Sequence, residues 1–255
     1  MDTEPGWDGR LNSAGDANGD STGNGGLNHS DAGGLNHSAT GGTALEFPDV
    51  ESLQDLGTFV RRARSLMDQG SVRLQAGDGV LAAWVCVLPG RGLVGSGVVL
   101  GLRTMPLLRV QGAPSLDVTV PLAAVSDRMA RRASTGDLST VLPVPPMVVT
   151  ETWTALTPAR AGWEPVGTVP ADDLLTVARD GIAEIAEGTP EGTGSLLVSA
   201  LRERVWGRPV SGGLTAGVAL AAYGLGFARP GEQVSVFRAG PWTRASTRAG
   251  HVLTR

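Results

Sequence analysis

A glycine-rich stretch, LPGRGLVGSG at residues 88–97, is the first place in the sequence where residue spacing suggests chemistry. Gly90, Gly92 and Gly95 have the G-x-G-x-x-G spacing of loops that bring the backbone close to the pyrophosphate of a dinucleotide. Such a loop must lead into a helix whose N-terminus faces the phosphates. Here the chain continues as SGVVLGLRTMP, whose adjacent valines, extra glycines and proline favour a strand. The stretch is therefore predicted to connect two strands, with Arg91 at its tip and no cofactor bound.

Other side chains that could perform catalysis are few. His251 is the only histidine outside the first 44 residues, and no G-x-S-x-G motif supplies a nucleophile for it. Cys86 is the only cysteine, and its apolar surroundings, AWVCVL, predict a small buried side chain. The adjacent Asp172 and Asp173 fit the first turn of a helix. No catalytic residue, metal site or cofactor is predicted, and an enzyme without a recognisable motif stays an alternative.

Charge is distributed unevenly along the chain, although its formal total is only −4. Residues 1–57 contain ten acidic residues and one Arg, whereas residues 195–255 contain two acidic residues and eight Arg. This asymmetry indicates either an attraction between the acidic N-terminal region and the rest of the protein or an anionic partner for the C-terminal region. Solvated Arg on ordinary surfaces is the alternative explanation.

The C-terminal region provides most of the candidate partner-binding residues. Three predicted helices followed by a hairpin have the element order of a winged helix, a common nucleic-acid-binding module. The third helix is expected to be buried, because residues 214–227 offer only Thr215 and Tyr223 as polar side chains. The candidate partner-binding residues are Arg91, Arg238, Trp242, Arg244 and Arg248. We expect a protein partner, with nucleic acid as the alternative.

Neither a membrane span nor secretion is predicted. The segment between Arg208 and Arg229 has no charged residue, but its many Gly and Pro residues favour a buried, closely packed helix over a membrane-spanning one. The first ten residues contain neither a basic start nor an apolar run, so a secretory signal is not expected and the location is predicted to be cytoplasmic.

The sequence divides into three parts. Residues 1–44 form a Gly-, Asn-, Asp- and Ser-rich segment that is predicted to be a disordered, low-complexity tail. Residues 45–150 begin with an amphipathic helix, capped by Asp49, and continue as strands. Asp78-Gly79 between two apolar runs predicts a hairpin. Residues 151–255 read as helices followed by short strands, and this region, winged-helix-like in its order, is expected either to be separate or to pack as one unit with residues 45–150.

Several boundaries follow from the same patterns. Strands are predicted over 72–76, 80–88, 95–105 and 115–120, and a short helix is predicted to have Pro121 at its first position. The stretch 142–153 is expected to be a connector that leads into a strand, and the residues after it are expected to form a loop until a helix starts near Pro170. Turns at Gly240 and Gly250 divide the C-terminal stretch into three strands.

The fold class predicted from these elements is α+β: an antiparallel meander with flanking helices, followed by a helical segment that ends in a small β-hairpin or meander. From about residue 50 to the end, the chain resembles a family of uncharacterised actinobacterial proteins. The stretches that carry this resemblance are WVCVLPGRGLVGSGVVLGLRT, GWEPVG, GIAEIAE, VWGRPV and GPWTRASTRAGHVLTR. The resemblance implies a bacterial source and a cytoplasmic setting, and it implies no activity. The function predicted is that of a non-enzymatic binding or interaction protein.

Overall fold

The computed structural model describes residues 42–92, 95–190 and 194–255. The helices are α1 (Val50–Leu66), α2 (Leu122–Thr135), α3 (Ala171–Gly188), α4 (Ser195–Trp206) and α5 (Ala216–Gly224), with 3₁₀ turns at Thr152–Ala155 and Ser211–Gly213. The strands are β1 (Ala44–Glu46), β2 (Ser71–Gly77), β3 (Val80–Leu88), β4 (Val99–Pro106), β5 (Arg109–Gln111), β6 (Leu116–Pro121), β7 (Val141–Pro143), β8 (Glu164–Pro170), β9 (Gln233–Ala239), β10 (Trp242–Thr247) and β11 (Gly250–Thr254).

Eight strands form one antiparallel sheet in the order β6-β2-β3-β4-β11-β10-β9-β8. A smaller antiparallel sheet has the order β5-β1-β7. The large sheet contains strands from both halves of the sequence, because β4 pairs with β11. Leu102, for example, lies opposite His251. The architecture confirms the predicted α+β class, and it also places the C-terminal strands in the same sheet as the N-terminal meander.

The helices cover one face of the large sheet and form the main core with it. Asp49 caps α1 by accepting a hydrogen bond of 2.6 Å from the backbone N–H of Ser52, as predicted. Asp78 and Gly79 both have positive φ, which matches the two-residue hairpin predicted between β2 and β3. Phe59 of α1 stacks on Phe227, which follows α5, with 6.0 Å between ring centroids. This stack therefore connects α1 with the segment after α5, although the two are far apart in the sequence.

The chain has an internal near-repeat, in which the first half (β1 to β7) resembles the second half (β8 to β11). In each half, one helix leads into three consecutive antiparallel strands, β2-β3-β4 after α1 and β9-β10-β11 after α5. In each half, an outer strand ends in Thr-Val-Pro and is followed at once by a helix. The first residue of that helix donates a backbone hydrogen bond to the residue before the neighbouring strand: Leu122 to Gly70 at 3.0 Å, and Ala171 to Glu232 at 2.9 Å.

Several local predictions were wrong. The stretch 142–153 leads into a 3₁₀ turn, and no strand follows it before Glu164. The region expected to be a loop contains β8, which the glycine and two prolines within it made hard to recognise. Pro121 is the N-cap of α2 and not its first helical residue. The three-residue strands β1 and β5 are too short to give a sequence pattern. The predicted tail lies mostly outside the described residues.

Candidate functional site

The large sheet has a second face, which points away from the helices and which we call the outer face. Because side chains alternate along a strand, the residues between the core positions belong to this face. The connection between the two halves crosses it, and we call residues 149–163 of this connection the strap. The strap begins beside the edge of the sheet, where the backbone N–H of Val149 donates to the carbonyl of Thr119 at 2.9 Å.

The strap covers a small second core on the outer face. Its buried members are Val98, Leu100, Trp153, Trp242 and Leu253, and half-buried residues such as Leu156 and Trp163 pack against them. Two polar contacts hold the strap to β2. Arg73 donates from Nη1 to the carbonyl of Thr154 at 2.9 Å, and Ser71 donates from Oγ to Oε1 of Glu151 at 2.9 Å. The strap therefore joins the two halves on the face opposite the helices.

The rest of the outer face is less covered, and we call Trp84, Leu102, Phe237, Arg244, Ser246 and His251 the open patch. All six side chains are half-buried. Trp84, Leu102 and His251 lie side by side on β3, β4 and β11, because Trp84 pairs with Leu102 and Leu102 pairs with His251. The solvated face of an antiparallel sheet normally carries polar side chains. The open patch therefore combines apolar side chains, of which Trp84 and Leu102 also pack against the second core, with the polar side chains of Arg244, Ser246 and His251.

Arg244 gives the open patch its positive charge. Its guanidinium lies between the rings of Trp163 and Phe237, at 4.7 Å from each centroid. A cation over an aromatic face is stabilised by the ring quadrupole. His251 shares a hydrogen bond of 3.0 Å with Oγ of Ser246. Burial, together with the charges of Arg244 and Arg103, lowers the pKa of His251 to about 4, so this imidazole is neutral at neutral pH.

Cys86 lies on the same face, and its thiol is unreactive by the usual criteria. Burial, aided by the negative charge of Glu151, raises the pKa of Cys86 to about 12. Its Sγ donates to the carbonyl of Leu88 at 3.3 Å. Since the thiolate is the nucleophile, a thiol with this pKa is a packing group at neutral pH. The side chain packs as a small apolar group, as expected from the sequence, but it is half-buried and not fully buried.

The structure does not bring the five candidate partner-binding residues together. Trp242 is buried beneath the strap, and Arg244 belongs to the open patch. Arg238 lies on β9, opposite Glu164 of β8 and Thr243 of β10 in the strand register. Its side chain lies near Gly213, on the helix side of the sheet. Arg91 forms an ion pair with Glu203 of α4. The remaining candidate, Arg248, lies in the turn before β11.

The glycine stretch behaves as a strand connection. Arg91 and Ser96 exchange backbone hydrogen bonds of 2.9 and 3.0 Å, which closes the loop on itself. The loop leads into a strand and not into a helix, as predicted, although β4 starts at Val99 and not at Gly95. Gly90 and Gly95 approach each other so closely that a side chain at Gly90 would overlap the backbone of Gly95. The glycines are therefore explained by chain packing.

Sequence reasoning missed most of the outer face. Arg73 of β2 donates two hydrogen bonds of 2.7 Å to the carboxylate of Asp117 on β6. No sequence motif predicts this ion pair. Trp84 lies in an apolar run, VLAAWVCV, that was predicted only as a strand. That run is apolar at both odd and even positions, which is the pattern of a strand covered on both faces. This pattern was the available signal for the second core.

Within residues 42–92, 95–190 and 194–255, no group of three or more His, Cys, Asp or Glu side chains is arranged to hold a metal ion. None of the helices in these ranges combines the length and the hydropathy needed to cross a bilayer.

Two family models match the chain. Residues 41–154 match a Domain of unknown function (DUF8010), and residues 158–255 match a Domain of unknown function (DUF8185). Together the two matches cover most of the described residues. This confirms the resemblance to an uncharacterised family that the sequence motifs indicated. The few residues between the two matches lie within the strap. No curated protein matches the sequence.

A solved structure with some similarity is the crystal structure of the DNA polymerase sliding clamp from Pseudomonas aeruginosa with ligand. The sequence identity is 10%, and the TM-score is 0.42. The match covers 79% of this chain and 62% of the clamp chain, so this chain spans less than two thirds of the clamp. A likeness of this size carries no information about function.

Proposed function

We propose that this protein is a non-enzymatic interaction protein, and that it binds a partner protein through the open patch. The observation that carries this proposal is the half-buried apolar row Trp84 and Leu102, which lies on an outer face where the described residues place the strap but no helix. An apolar surface that stays in contact with water costs about 25 cal/mol for each Å². A partner that covers the row removes this cost, which is the usual driving force for association.

The face of the sheet is a better docking surface than its edges. Adding a strand to an edge requires free backbone donors in a row. At one edge, Pro165 and Pro170 remove two donors from β8, and the register of this strand is also irregular between Pro165 and Gly167. At the other edge, Val149 of the strap already uses the carbonyl of Thr119. Both edges are therefore poorly suited to pairing with another strand.

The side chains of the open patch indicate the chemistry of the partner. Trp84 and Leu102 supply an aromatic ring and an aliphatic side chain, and Ser246 and His251 lie beside them. Such a surface favours a partner segment that presents apolar side chains with polar groups around them. Nucleic acid is less favoured, because unpaired bases stack on aromatic faces that are open, whereas Trp163 and Phe237 already face Arg244.

Site-specific photo-crosslinking in the source cells tests this proposal. Thr104 is exposed on the outer face, two residues from Leu102, and a photo-reactive phenylalanine derivative can replace it without disturbing the core. The matched control places the same residue at Leu138, which is 79% exposed on the segment after α2. We expect a protein adduct from position 104 and not from position 138, and we expect Leu102→Arg to remove it.

The outcomes separate the alternatives. The same adducts from both positions, or an adduct from position 104 that persists in Leu102→Arg, would contradict docking at the open patch. An adduct that disappears after nuclease treatment would identify nucleic acid as the partner. The melting temperature of Leu102→Arg must stay close to that of the parent protein for the comparison to count. Where that variant unfolds, Ser246→Arg, at the polar end of the same patch, replaces it.

A further inference from the structure

The strap contacts the outer face through apolar side chains. Trp153 belongs to the second core, where it is 9% exposed, and Leu156 packs against the same core. Leu156 also lies over the glycine stretch, because a Cβ at Gly95 would overlap its Cδ1. The strap therefore fits the sheet with an aromatic and an aliphatic side chain that are three residues apart.

Hydrogen bonds within the strap hold its turn together. The backbone N–H of Thr154 donates to the carbonyl of Glu151 at 3.1 Å, and the backbone N–H of Leu156 donates to the carbonyl of Trp153 at 3.1 Å. Oγ1 of Thr154 also donates to the carbonyl of Glu151, at 2.6 Å. Because these bonds do not involve the sheet, the turn keeps them when the strap moves away, and its backbone groups stay paired.

The polar contacts between the strap and the sheet can be exchanged for contacts with water. Arg73 donates to the carbonyl of Thr154, but its two hydrogen bonds of 2.7 Å to Asp117 do not depend on the strap. Ser71 and Glu151 can each bind water once they separate. A hydrogen bond that water replaces contributes little net stability. Apolar packing is therefore the main force that holds the strap on the sheet.

The second core and the open patch are continuous beneath the edge of the strap. Trp84 and Leu102 belong to the open patch, and both also pack against the second core. The indole N–H of Trp84 is buried, and no acceptor for it lies among the described residues. A buried donor without an acceptor destabilises the arrangement that buries it. The closed arrangement carries this cost, and a movement that admits water to the indole relieves it.

We propose that the strap is a displaceable cover, which leaves the outer face as one unit while the eight-stranded sheet stays folded, so that the second core joins the open patch as one docking surface. The occupant is a partner segment with an aromatic and an aliphatic side chain three residues apart, because the strap itself fills the site with Trp153 and Leu156. The opening depends only on the contacts of the strap, whereas the docking of a partner there rests on the function proposed above.

Cys86 reports the opening. It packs against the second core, and it is the only cysteine of the chain. Burial, together with the charge of Glu151 in the strap, raises the pKa of Cys86 to about 12. When the strap leaves, the charge and part of the burial leave with it, so the thiol becomes more reactive. The rate at which dithionitrobenzoate modifies Cys86 in the folded protein therefore measures the opening.

The dependence of this rate on urea and on single substitutions tests the cover. At urea concentrations below the unfolding transition, the rate should hardly change, because a local opening exposes little surface. Trp153→Ala should raise the rate at least about tenfold. Leu156→Ala should raise it less, and it replaces Trp153→Ala if that variant does not fold. Val125→Ala, buried in the helical layer, is the matched control and should leave the rate unchanged.

The opposite results would overturn the cover. They are a rate that rises with urea as steeply as global unfolding does, a rate that Trp153→Ala and Leu156→Ala leave unchanged, and an equal rise in Val125→Ala. Each of them would mean that Cys86 becomes accessible only when the whole sheet unfolds, or without any movement of the strap.

A synthetic peptide of residues 149–163 tests the docking separately. Added in excess to the Trp153→Ala protein, this peptide should occupy the second core and slow the modification of Cys86. The matched control peptide carries Trp153→Ala and should not slow it. Equal rates with the two peptides would overturn docking at the second core. This result is independent of the crosslinking from position 104, which tests the open patch.

Discussion

The two halves of the molecule share a strand order and a Thr-Val-Pro turn, but they differ in what covers their helices. In the second half, α4 packs on both α3 and α5, and seven of the nine residues of α5 are buried. In the first half, the described chain has no helix equivalent to α4, and α1 keeps a polar face beside α2. The same order of elements thus gives a packed set of three helices in the second half and a groove between α1 and α2 in the first half.

The sheet shows a second difference between the halves. In each half, the threonine of the Thr-Val-Pro sequence lies opposite one residue of the neighbouring strand. Thr119 lies opposite Arg73 in the first half, and Thr168 lies opposite Ser235 in the second half. Arg73 of the first half therefore holds the strap by a hydrogen bond to Thr154, whereas Arg244 of the second half contacts the strap through the ring of Trp163. The strap is anchored by β2, runs over the second core and ends at β8. The second core beneath the strap contains Val98 and Leu100 from the first half and Trp242 and Leu253 from the second half, so the strap covers residues of both.

The largest expected effect concerns the stack that joins the halves. Phe59 and Phe227 are each only 3% exposed, so Phe227→Ala should reduce the free energy of unfolding by about 3–5 kcal/mol. Because one sheet contains both halves, urea unfolding followed by circular dichroism should remain a single transition. Leu138→Ala, at a position 79% exposed, should change stability by less than about 0.5 kcal/mol. Two separate transitions would show that the halves unfold independently.

Much of the fold could be predicted from the sequence, because its strongest signals are local. The hairpin at Asp78-Gly79, the Asp49 cap and the apolar stripe of α1 each depend on neighbouring residues. β8 could not be predicted, since its exposed positions and prolines have no strand pattern and its pairing with β9 is a long-range contact. The open patch was missed for a related reason. Its residues come from β3, β4, β9, β10 and β11, and only the order of strands in the sheet makes them neighbours.

The second prediction concerns the seam where the halves meet, at which His251 of β11 faces Leu102 of β4. The pKa of His251 is lowered from 6.5 to about 4, so the unfolded chain binds a proton between these pH values and the folded protein does not. Stability is therefore lost as the pH falls from 6.5 towards 4. The loss attributable to His251 should be about 2–3 kcal/mol between pH 7 and pH 4.5.

His251→Gln isolates this contribution, because glutamine does not titrate while other groups in the protein still do. Urea unfolding of both proteins at the two pH values gives the difference. We expect the variant to lose less stability than the parent protein on acidification. An equal loss in both proteins would mean that His251 is protonated in the folded state and that the seam is open to water.

The third prediction compares a close helix contact in each half. A Cβ at Gly181 of α3 would lie 2.5 Å from Cζ3 and 2.8 Å from Cη2 of Trp206, whereas a Cβ at Gly57 of α1 would lie 2.5 Å from the terminal methyl of Met129. Ala is favoured over Gly within a helix by about 1 kcal/mol. A rigid indole cannot move away, but a methionine methyl can. Gly181→Ala should therefore destabilise the protein by about 1–2 kcal/mol, and Gly57→Ala should change stability by less than about 0.5 kcal/mol.

Thermal unfolding of the two alanine variants checks this contrast. Both substitutions add one methyl group to a helix, so each variant is the control for the other. If both variants lost the same stability, the α1–α2 contact would be as rigid as the α3–α4 contact.

The smallest expected effect concerns the anchor of the strap. Burial opposes the ionisation of Asp117, but hydrogen bonds from Arg73 and Gln75 outweigh it and lower the pKa of this carboxyl. A lowered pKa gives stability that is present above the unfolded value, near 3.8, and is lost as the pH falls through the folded value. Because the side chain of Asp117 is 49% exposed, solvent screens the pair, and Asp117→Asn should cost no more than about 1 kcal/mol at pH 7.

The location of this loss matters more than its size. Arg73 also donates to Thr154, so its release in Asp117→Asn should speed hydrogen exchange at the strap amides near Thr154 and leave exchange in β9 and β10 unchanged. Ser235→Ala, at the corresponding position of the second half, should leave exchange in the strap unaffected. Faster exchange across the whole sheet in Asp117→Asn would show that the strap is part of the global fold and not a separately held cover on the outer face.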